Sequence, residues 1–319
     1  MIFAQDTDPL TYPTCATHGW SILNAASTNA GIAGVLAGFA FTAGVVYIGR
    51  QERALDESTR DAATIARHIK ARSIQDVQTV SLFVVSFIVL GLDSFIWSIV
   101  SGSRPVVGLT EVMVEQPPEL CSRVWSQAII AVGMFGLGAI AMVCNITSLF
   151  LWQQSSVRDE DSRNYLRFFL LVVTAGAVLG VTCFVGSDTM NYLDVVYSGH
   201  PPVWFTTATA IVTFGGLAIA LAVGARAYFA KMLRNDRRVP LRDRMRLPSF
   251  LIAVYALVGA VGVTAAARFP DWPDAPATWL VLIYWTIGLV LPVVVVILVA
   301  RAIPPAKSPR RVWVTPKAA

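Results

Sequence analysis

Seven long apolar runs dominate this chain of 319 residues and restrict what it can fold into. Each run is near or above the roughly 20 residues that an α-helix needs to cross a hydrocarbon core of about 30 Å. Inside a bilayer every backbone polar group needs a partner in the protein, and a helix supplies it within one segment. Only 14% of the residues are charged, against about 25% in soluble domains. The predicted fold is an all-α membrane protein, a seven-transmembrane-helix bundle.

The runs also predict the organisation of the chain. We expect residues 1–30 to form an extracytoplasmic tail, residues 31–302 the seven-helix transmembrane domain, and residues 303–319 a basic cytoplasmic tail. The predicted spans cover about residues 31–49, 79–100, 125–152, 168–186, 204–230, 249–267 and 278–300.

The distribution of positive charge predicts the orientation of the bundle. One side of the predicted membrane carries 22 of the 25 Lys and Arg residues, and the other side holds only Arg104, Arg123 and Arg268. Cytoplasmic loops carry the excess of Lys and Arg, so the N-terminus is expected outside and the C-terminus in the cytoplasm. Only four of the 25 basic residues are Lys, a bias that points to a bacterial source and hence to the plasma (cell inner) membrane.

One carboxylate, Asp93, lies well inside the second run. A charge at that depth costs roughly 2.5 kcal/mol or more, so it is by default a hypothesis for a functional site. Ser86 shares its helical face, and Asn145 is a polar residue inside the third span. The functional interpretation is a proton- or cation-linked carboxylate. The sequence alone favours the structural alternative, an ion pair or hydrogen-bonded lock with Arg123 or Arg268, because a single acid is thin evidence for a transport path.

Polar residues follow the predicted fourth span, at Asp188, Asn191 and Asp194. Carboxylates and amides suit hard cations, so these residues could line an outer vestibule. Their spacing matches no calcium-loop template, and solvated loop polarity is the alternative that the sequence favours. The chain has no CxxC and no His/Cys cluster, so we expect no metal site.

Cys15 and Cys121 fall on the same, extracytoplasmic side of the predicted topology. Disulfides persist in oxidising compartments. The sequence therefore permits a bridge between these two cysteines and leaves open whether it forms.

The segment after the fifth span is the most basic of the chain. Such clusters bind anionic lipid head groups at the cytoplasmic face, although ordinary positive-inside anchoring explains most of this charge. A nucleotide or an acidic protein surface is the sharper alternative, and nucleic acid is not expected. The candidate lipid contacts are Arg226, Lys231, Arg234, Arg237 and Arg238.

Small residues at GxxxG spacing occur in the first and fourth spans, at Gly34 and Gly38 and at Gly176 and Gly180. This spacing lets a second helix approach closely. It predicts a homo-oligomer or a membrane partner that packs on these faces.

A seven-span protein with this orientation invites comparison with microbial retinal proteins, which need a lysine in the last span. All four lysines, Lys70, Lys231, Lys307 and Lys317, lie outside the predicted spans. We therefore expect no retinal and no other cofactor.

No catalytic set of residues is apparent in the sequence. The predicted function is a non-enzymatic, multi-pass plasma-membrane protein that acts as a helix-packing partner, sensor or scaffold. The alternative is an ion channel or a proton/cation-linked secondary transporter that uses Asp93. Against the alternative, the two halves of the chain show no repeat, and seven spans do not divide into equal inverted units. The substrate and the oligomeric state are not specified by the sequence.

Overall fold

The computed structural model describes residues 15–17, 20–57, 62–103, 118–153, 160–233, 246–268 and 276–302. About half of the predicted N-terminal tail (residues 1–14, 18 and 19) and all of the predicted tail 303–319 lie outside these ranges.

The described chain is almost entirely helical. The helices are α1 (Ile22–Glu57), α2 (Ala62–Gly102), α3 (Pro118–Gln153), α4 (Glu160–Val196), α5 (Val203–Ala210), α6 (Gly216–Leu233), α7 (Arg246–Arg268), α8 (Thr278–Trp285) and α9 (Leu291–Ala302). Two π-helices, π1 (Ile211–Gly215) and π2 (Thr286–Val290), join α5 to α6 and α8 to α9. Two short strands, β1 (Ala16–Thr17) and β2 (Trp20–Ser21), pair antiparallel before α1.

Seven helical segments are long and apolar enough to cross a membrane, which confirms the predicted helical bundle. The fifth segment combines α5, π1 and α6, and the seventh combines α8, π2 and α9. The seven segments are Ile22–Gly49, Val80–Gly102, Leu120–Thr147, Phe168–Val196, Val203–Arg226, Leu247–Arg268 and Thr278–Arg301.

Helix α3 is the central helix of the bundle. Its most apolar stretch is 72% buried, whereas the corresponding stretch of α1 is 22% buried. It packs against α1, α2, α4, α7 and the last span, while α2 also packs on α7, α7 on α9, and α9 on α6. Five of the other six spans therefore pack against α3. Many large apolar side chains of these outer spans are exposed on the outside of the bundle.

Three glycines let neighbouring helices approach α3 closely. A Cβ at Gly136 would lie 2.5 Å from Cγ1 of Val181 on α4, and one at Gly138 would lie 2.7 Å from Cδ2 of Leu90 on α2. A Cβ at Gly133 would overlap the hydroxyl of Tyr255 on α7. The small residues of α3 therefore face different helices, so its whole circumference is used for packing.

The segment before α1 is tied to the start of α3. Cys15 and Cys121 form a disulfide, with their Cα atoms 5.2 Å apart, so the bridge that the sequence left open is present. The indole N–H of Trp125 donates to the carbonyl oxygen of Cys15 (3.0 Å), and the rings of Trp20 and Trp125 meet edge to face at 5.7 Å. We call this end of the bundle the disulfide end.

The close approach of α3 and α4 at Gly136 leads to a stability prediction. Val181 is β-branched and has few alternative rotamers, so it cannot move away from an added methyl group. We expect Gly136→Ala to destabilise the protein by about 1–3 kcal/mol, the usual cost of overpacking, measured as a lower Tm in detergent. Gly180→Ala on α4 is the matched control, since no heavy atom lies within 4 Å of its added methyl group. An equal loss of Tm in both variants would contradict the close contact between Gly136 and Val181.

Candidate functional site

Asp93 lies in α2 and is completely buried, with 0% of its surface exposed. Neither carboxylate oxygen has a hydrogen-bond partner among the described residues. Buried polar groups normally have partners, and an unpartnered buried charge is far more costly than an unpartnered neutral group. Asp93 is therefore the most unusual side chain in the interior of the bundle.

Two aromatic side chains adjoin this carboxylate. The indole N–H of Trp97, one turn along α2, faces Asp93 without meeting the geometry of a hydrogen bond. The hydroxyl of Tyr255, on the neighbouring helix α7, lies within electrostatic range of the carboxylate. Both side chains are buried. Among the described residues, the carboxylate therefore has one nearby N–H group and one nearby O–H group, and no positive charge acts on it.

Tyr255 connects the Asp93 region to two other helices. Its hydroxyl donates to the carbonyl oxygen of Ile130 on α3 at 3.4 Å, a long hydrogen bond. The position that a Cβ would take at Gly133 lies against both this hydroxyl and the ring of Pro292 on α9. Tyr255 therefore occupies the point where α3, α7 and α9 meet.

The three polar residues that the sequence singles out lie along one boundary, between α2 and α3. Ser86 lies two turns before Asp93 on the same face of α2, and its hydroxyl donates to the carbonyl of Leu82 (2.8 Å). Asn145 is seven residues, about two turns, beyond Gly138 on α3, the glycine that contacts Leu90. Both are buried.

Gln127 belongs to the same boundary and was not among the predicted site residues. It lies eleven residues, about three turns, before Gly138, and is therefore on the α2-facing side of α3. It is 1% exposed, and its carbonyl oxygen has no hydrogen-bond partner in the described part of the chain. A buried amide in an apolar run was the available signal, although the sequence does not show which side it faces.

The predicted ion pair between Asp93 and Arg123 or Arg268 does not form. Leu90, one turn before Asp93, contacts α3 at Gly138. Because α2 and α3 run antiparallel, Asp93 lies at about the level of residue 135 of α3, which places Arg123 about 12 residues, roughly 18 Å, away along the axis. Arg268 is the last residue of α7, thirteen residues or roughly 20 Å beyond Tyr255, and it is exposed. Both arginines lie too near the disulfide end to neutralise Asp93.

The predicted outer loop after residue 186 is instead part of α4, which continues to Val196. Asp188 is buried (4% exposed), and one of its carboxylate oxygens accepts a hydrogen bond from the side-chain amide of Asn191 at 3.4 Å. Asp194 lies on the same helix and is partly buried. Both sequence interpretations, vestibule and solvated loop, assumed a loop here; the helix continues because Asp188 faces the interior of the bundle.

Two π-helices lie side by side near the Asp93 level, in the fifth and seventh spans. Just before them, the indole N–H of Trp285 donates to the hydroxyl of Thr209 (2.8 Å), and just after them Gly216 lies against Val293. Pro292 has no N–H group to donate to the carbonyl oxygen of Gly288. This missing hydrogen bond interrupts the α-helical pattern at π2. Single π-turns inside helices are frequent at functional sites, and they mark places where a helix can bend.

The glycines that predict partner surfaces on α1 and α4 have different surroundings in the structure. A Cβ at Gly34 would lie 3.2 Å from the hydroxyl of Ser94, so this glycine serves the packing of α1 on α2. Gly38, Gly176 and Gly180 have no heavy atom within 4 Å of an added Cβ. The small-residue face of α4 is therefore open in the single chain.

The predicted lipid contacts are only partly described. Arg226 is exposed near the end of α6, away from the disulfide end. Lys231 lies in the same helix, with its side chain outside the described part, and Arg234, Arg237 and Arg238 lie outside the described residues.

Among the described residues, no group of three or more His, Cys, Asp or Glu side chains could hold a metal ion. No family model, no curated protein and no solved structure matches this chain. The case for function therefore depends on the geometry around Asp93.

The absence of an ion pair predicts how stability responds to loss of the carboxylate. We expect Asp93→Asn to keep the Tm of the purified protein within a few degrees of the wild-type value, because the amide has the same shape and no charge. Removing one partner of a buried ion pair would instead cost about 3–5 kcal/mol. Arg123→Gln tests the same pair from the arginine side. A large loss of Tm of similar size in both variants would restore the ion-pair interpretation.

Proposed function

We propose that this protein is a multi-pass protein of a bacterial plasma membrane, with its N-terminus outside and its C-terminus in the cytoplasm. The connections after the first, third and fifth spans and the C-terminal tail carry most of the Lys and Arg residues, as expected for the cytoplasmic side. The Cys15–Cys121 disulfide lies at the opposite end, and disulfides are typical of extracytoplasmic compartments. Two independent features therefore support the same orientation.

Cysteine labelling tests this orientation. In a background with Cys144 and Cys183 replaced by Ala, we expect His200→Cys, in the exposed turn after α4, to react with a membrane-impermeant maleimide on intact cells. Asn235→Cys, in the basic segment, should react only after permeabilisation. Labelling of Asn235→Cys in intact cells would reverse the orientation.

The function that the geometry supports best is cation-linked transport in which Asp93 holds the ion. The observation that carries it is the completely buried carboxylate, which has neither a hydrogen bond to its oxygens nor an arginine within reach among the residues that the structure describes. Ionisable residues inside membrane helices are expensive and mark ion pathways or relays. The structural alternative that the sequence favoured needs a partner for Asp93, and the described residues do not supply one.

The contacts of Tyr255 suggest how an ion at Asp93 is linked to motion. Tyr255 lies beside Asp93, and its hydroxyl and the ring of Pro292, two residues after π2, both lie against Gly133. A change of charge at Asp93 alters the electrostatic environment of the Tyr255 hydroxyl, whose long bond to Ile130 is easily lost. The seventh span can then bend at π2, and its neighbour can bend at π1, so that the ion site opens toward one side at a time.

A helix-packing partner or scaffold is the second candidate. The observation that favours it is the open space beside Gly176 and Gly180 on α4. These glycines have the four-residue spacing at which closely packed membrane helices meet. In this case Asp93 has no role in ion movement.

Flux measurements distinguish the two candidates. In proteoliposomes, we expect the wild-type protein to dissipate an imposed proton or cation gradient. The rate of dissipation should be at least tenfold lower in Asp93→Asn. Asp194→Asn, which removes a carboxylate near the end of α4, is the matched control and should keep the wild-type rate. No flux above empty liposomes for any cation would overturn the transport proposal and leave the scaffold.

A further inference from the structure

We propose that the ion held at Asp93 is a proton rather than a metal cation. This inference rests on the proposed cation-linked function and names the ion that it uses.

The oxygen ligands around Asp93 are too few for a metal ion. Hard divalent cations take about six to eight oxygen ligands, or near-octahedral coordination. Besides the Asp93 carboxylate, the described side chains of the α2–α3–α7 boundary offer the hydroxyl of Tyr255, which already donates to Ile130. The amides of Gln127 and Asn145 lie about two and three turns of α3 away from the level of Asp93. The hydroxyl of Ser86 is two turns away and donates to Leu82. A proton needs no further ligand once it is on the carboxylate.

The nearest donor also favours a proton. The indole nitrogen of Trp97 carries a hydrogen and has no acceptor lone pair, so this side of the carboxylate repels a metal ion. A carboxyl group, in contrast, keeps a carbonyl oxygen that can accept from an N–H group. Trp97 has no hydrogen-bond partner of its own in the described structure, so a small shift of its ring would let it donate to Asp93 in either protonation state.

No positive charge from the helices packed against α2 reaches Asp93. Residues 22–46 of α1 contain no ionisable side chain. The ionisable side chains described on α3 are those of Arg123 and Cys144, with Cys121 in the disulfide, and those described on α7 are Tyr255 and Arg268. Glu119 and Arg246 belong to the first turns of these helices, with their side chains outside the described part. Of the described groups, Tyr255 is the one within electrostatic range, and it is neutral or negative. A single proton from water therefore neutralises the site completely, and its return to water on the other side completes the transfer.

Infrared spectroscopy on the purified protein tests the inference directly. We expect the wild type at neutral pH to show the C=O stretching band of a buried protonated carboxyl group, and Asp93→Asn to lack it. Asp188→Asn removes the other carboxylate that is fully buried in the described bundle, so it should leave the Asp93 band unchanged. If Asp93→Asn does not fold, Asp93→Glu should shift the band instead of removing it.

Parallel flux measurements separate this inference from the proposed function. We expect a pH gradient to drive proton movement at equal Na⁺ and K⁺ on both sides, with at least a tenfold loss in Asp93→Asn. A missing carboxyl band together with saturable ²²Na⁺ binding that Asp93→Asn abolishes would overturn the proton and keep the transport proposal. A carboxyl band without flux of any ion would overturn transport and keep the protonated Asp93.

Discussion

The close packing of α3 against its neighbours is the constraint on which the rest of the bundle depends. A central helix can touch several others at once only if its side chains are small at the crossing points. Gly133, Gly136 and Gly138 provide this, and each admits a side chain from a different helix. The approach at Gly133 brings the Tyr255 hydroxyl and Pro292 together, and it thereby sets the geometry beside Asp93. The packing of the core and the candidate ion site are therefore one arrangement.

The chemistry of the site follows from what this packing excludes. Because α2 packs against α3 and α7 at this level, the carboxylate of Asp93 has no exposed surface. Its oxygens have no hydrogen-bond partner, and no arginine of the described part of the chain lies within reach. Burial disfavours the charged form of a carboxylate in the absence of a nearby cation. The neighbouring π-helices allow the fifth and seventh spans to bend beside a rigid central helix. A fixed site next to two bendable spans is a suitable arrangement for coupling an ion to a conformational change.

The sequence predicted the architecture well and the site only in part. Apolar runs of sufficient length give helices in a bilayer regardless of tertiary detail, so the seven spans could be found without a structure. The end of α4 was missed because hydropathy treats Asp188 as a loop residue, whereas its side chain faces the interior. The Asp93 ion pair was wrong for a related reason. Sequence distance gives the depth of Arg123 only approximately, and the register between α2 and α3 leaves Arg123 about 12 residues, roughly 18 Å, from the level of Asp93 along α3.

By itself, the sequence determined the number of apolar helices, the position of one carboxylate deep in an apolar run, and the accumulation of Lys and Arg in alternate connections between the runs. These depend on composition and length, which act locally along the chain. The tertiary structure alone decided the environment of Asp93, the proximity of Tyr255 and Trp97, the inward face of Gln127 and the pairing of the two π-helices. Those properties depend on helix register and rotation. Both are set by close contacts such as Leu90 against Gly138, and side-chain periodicity within a single helix does not contain that information.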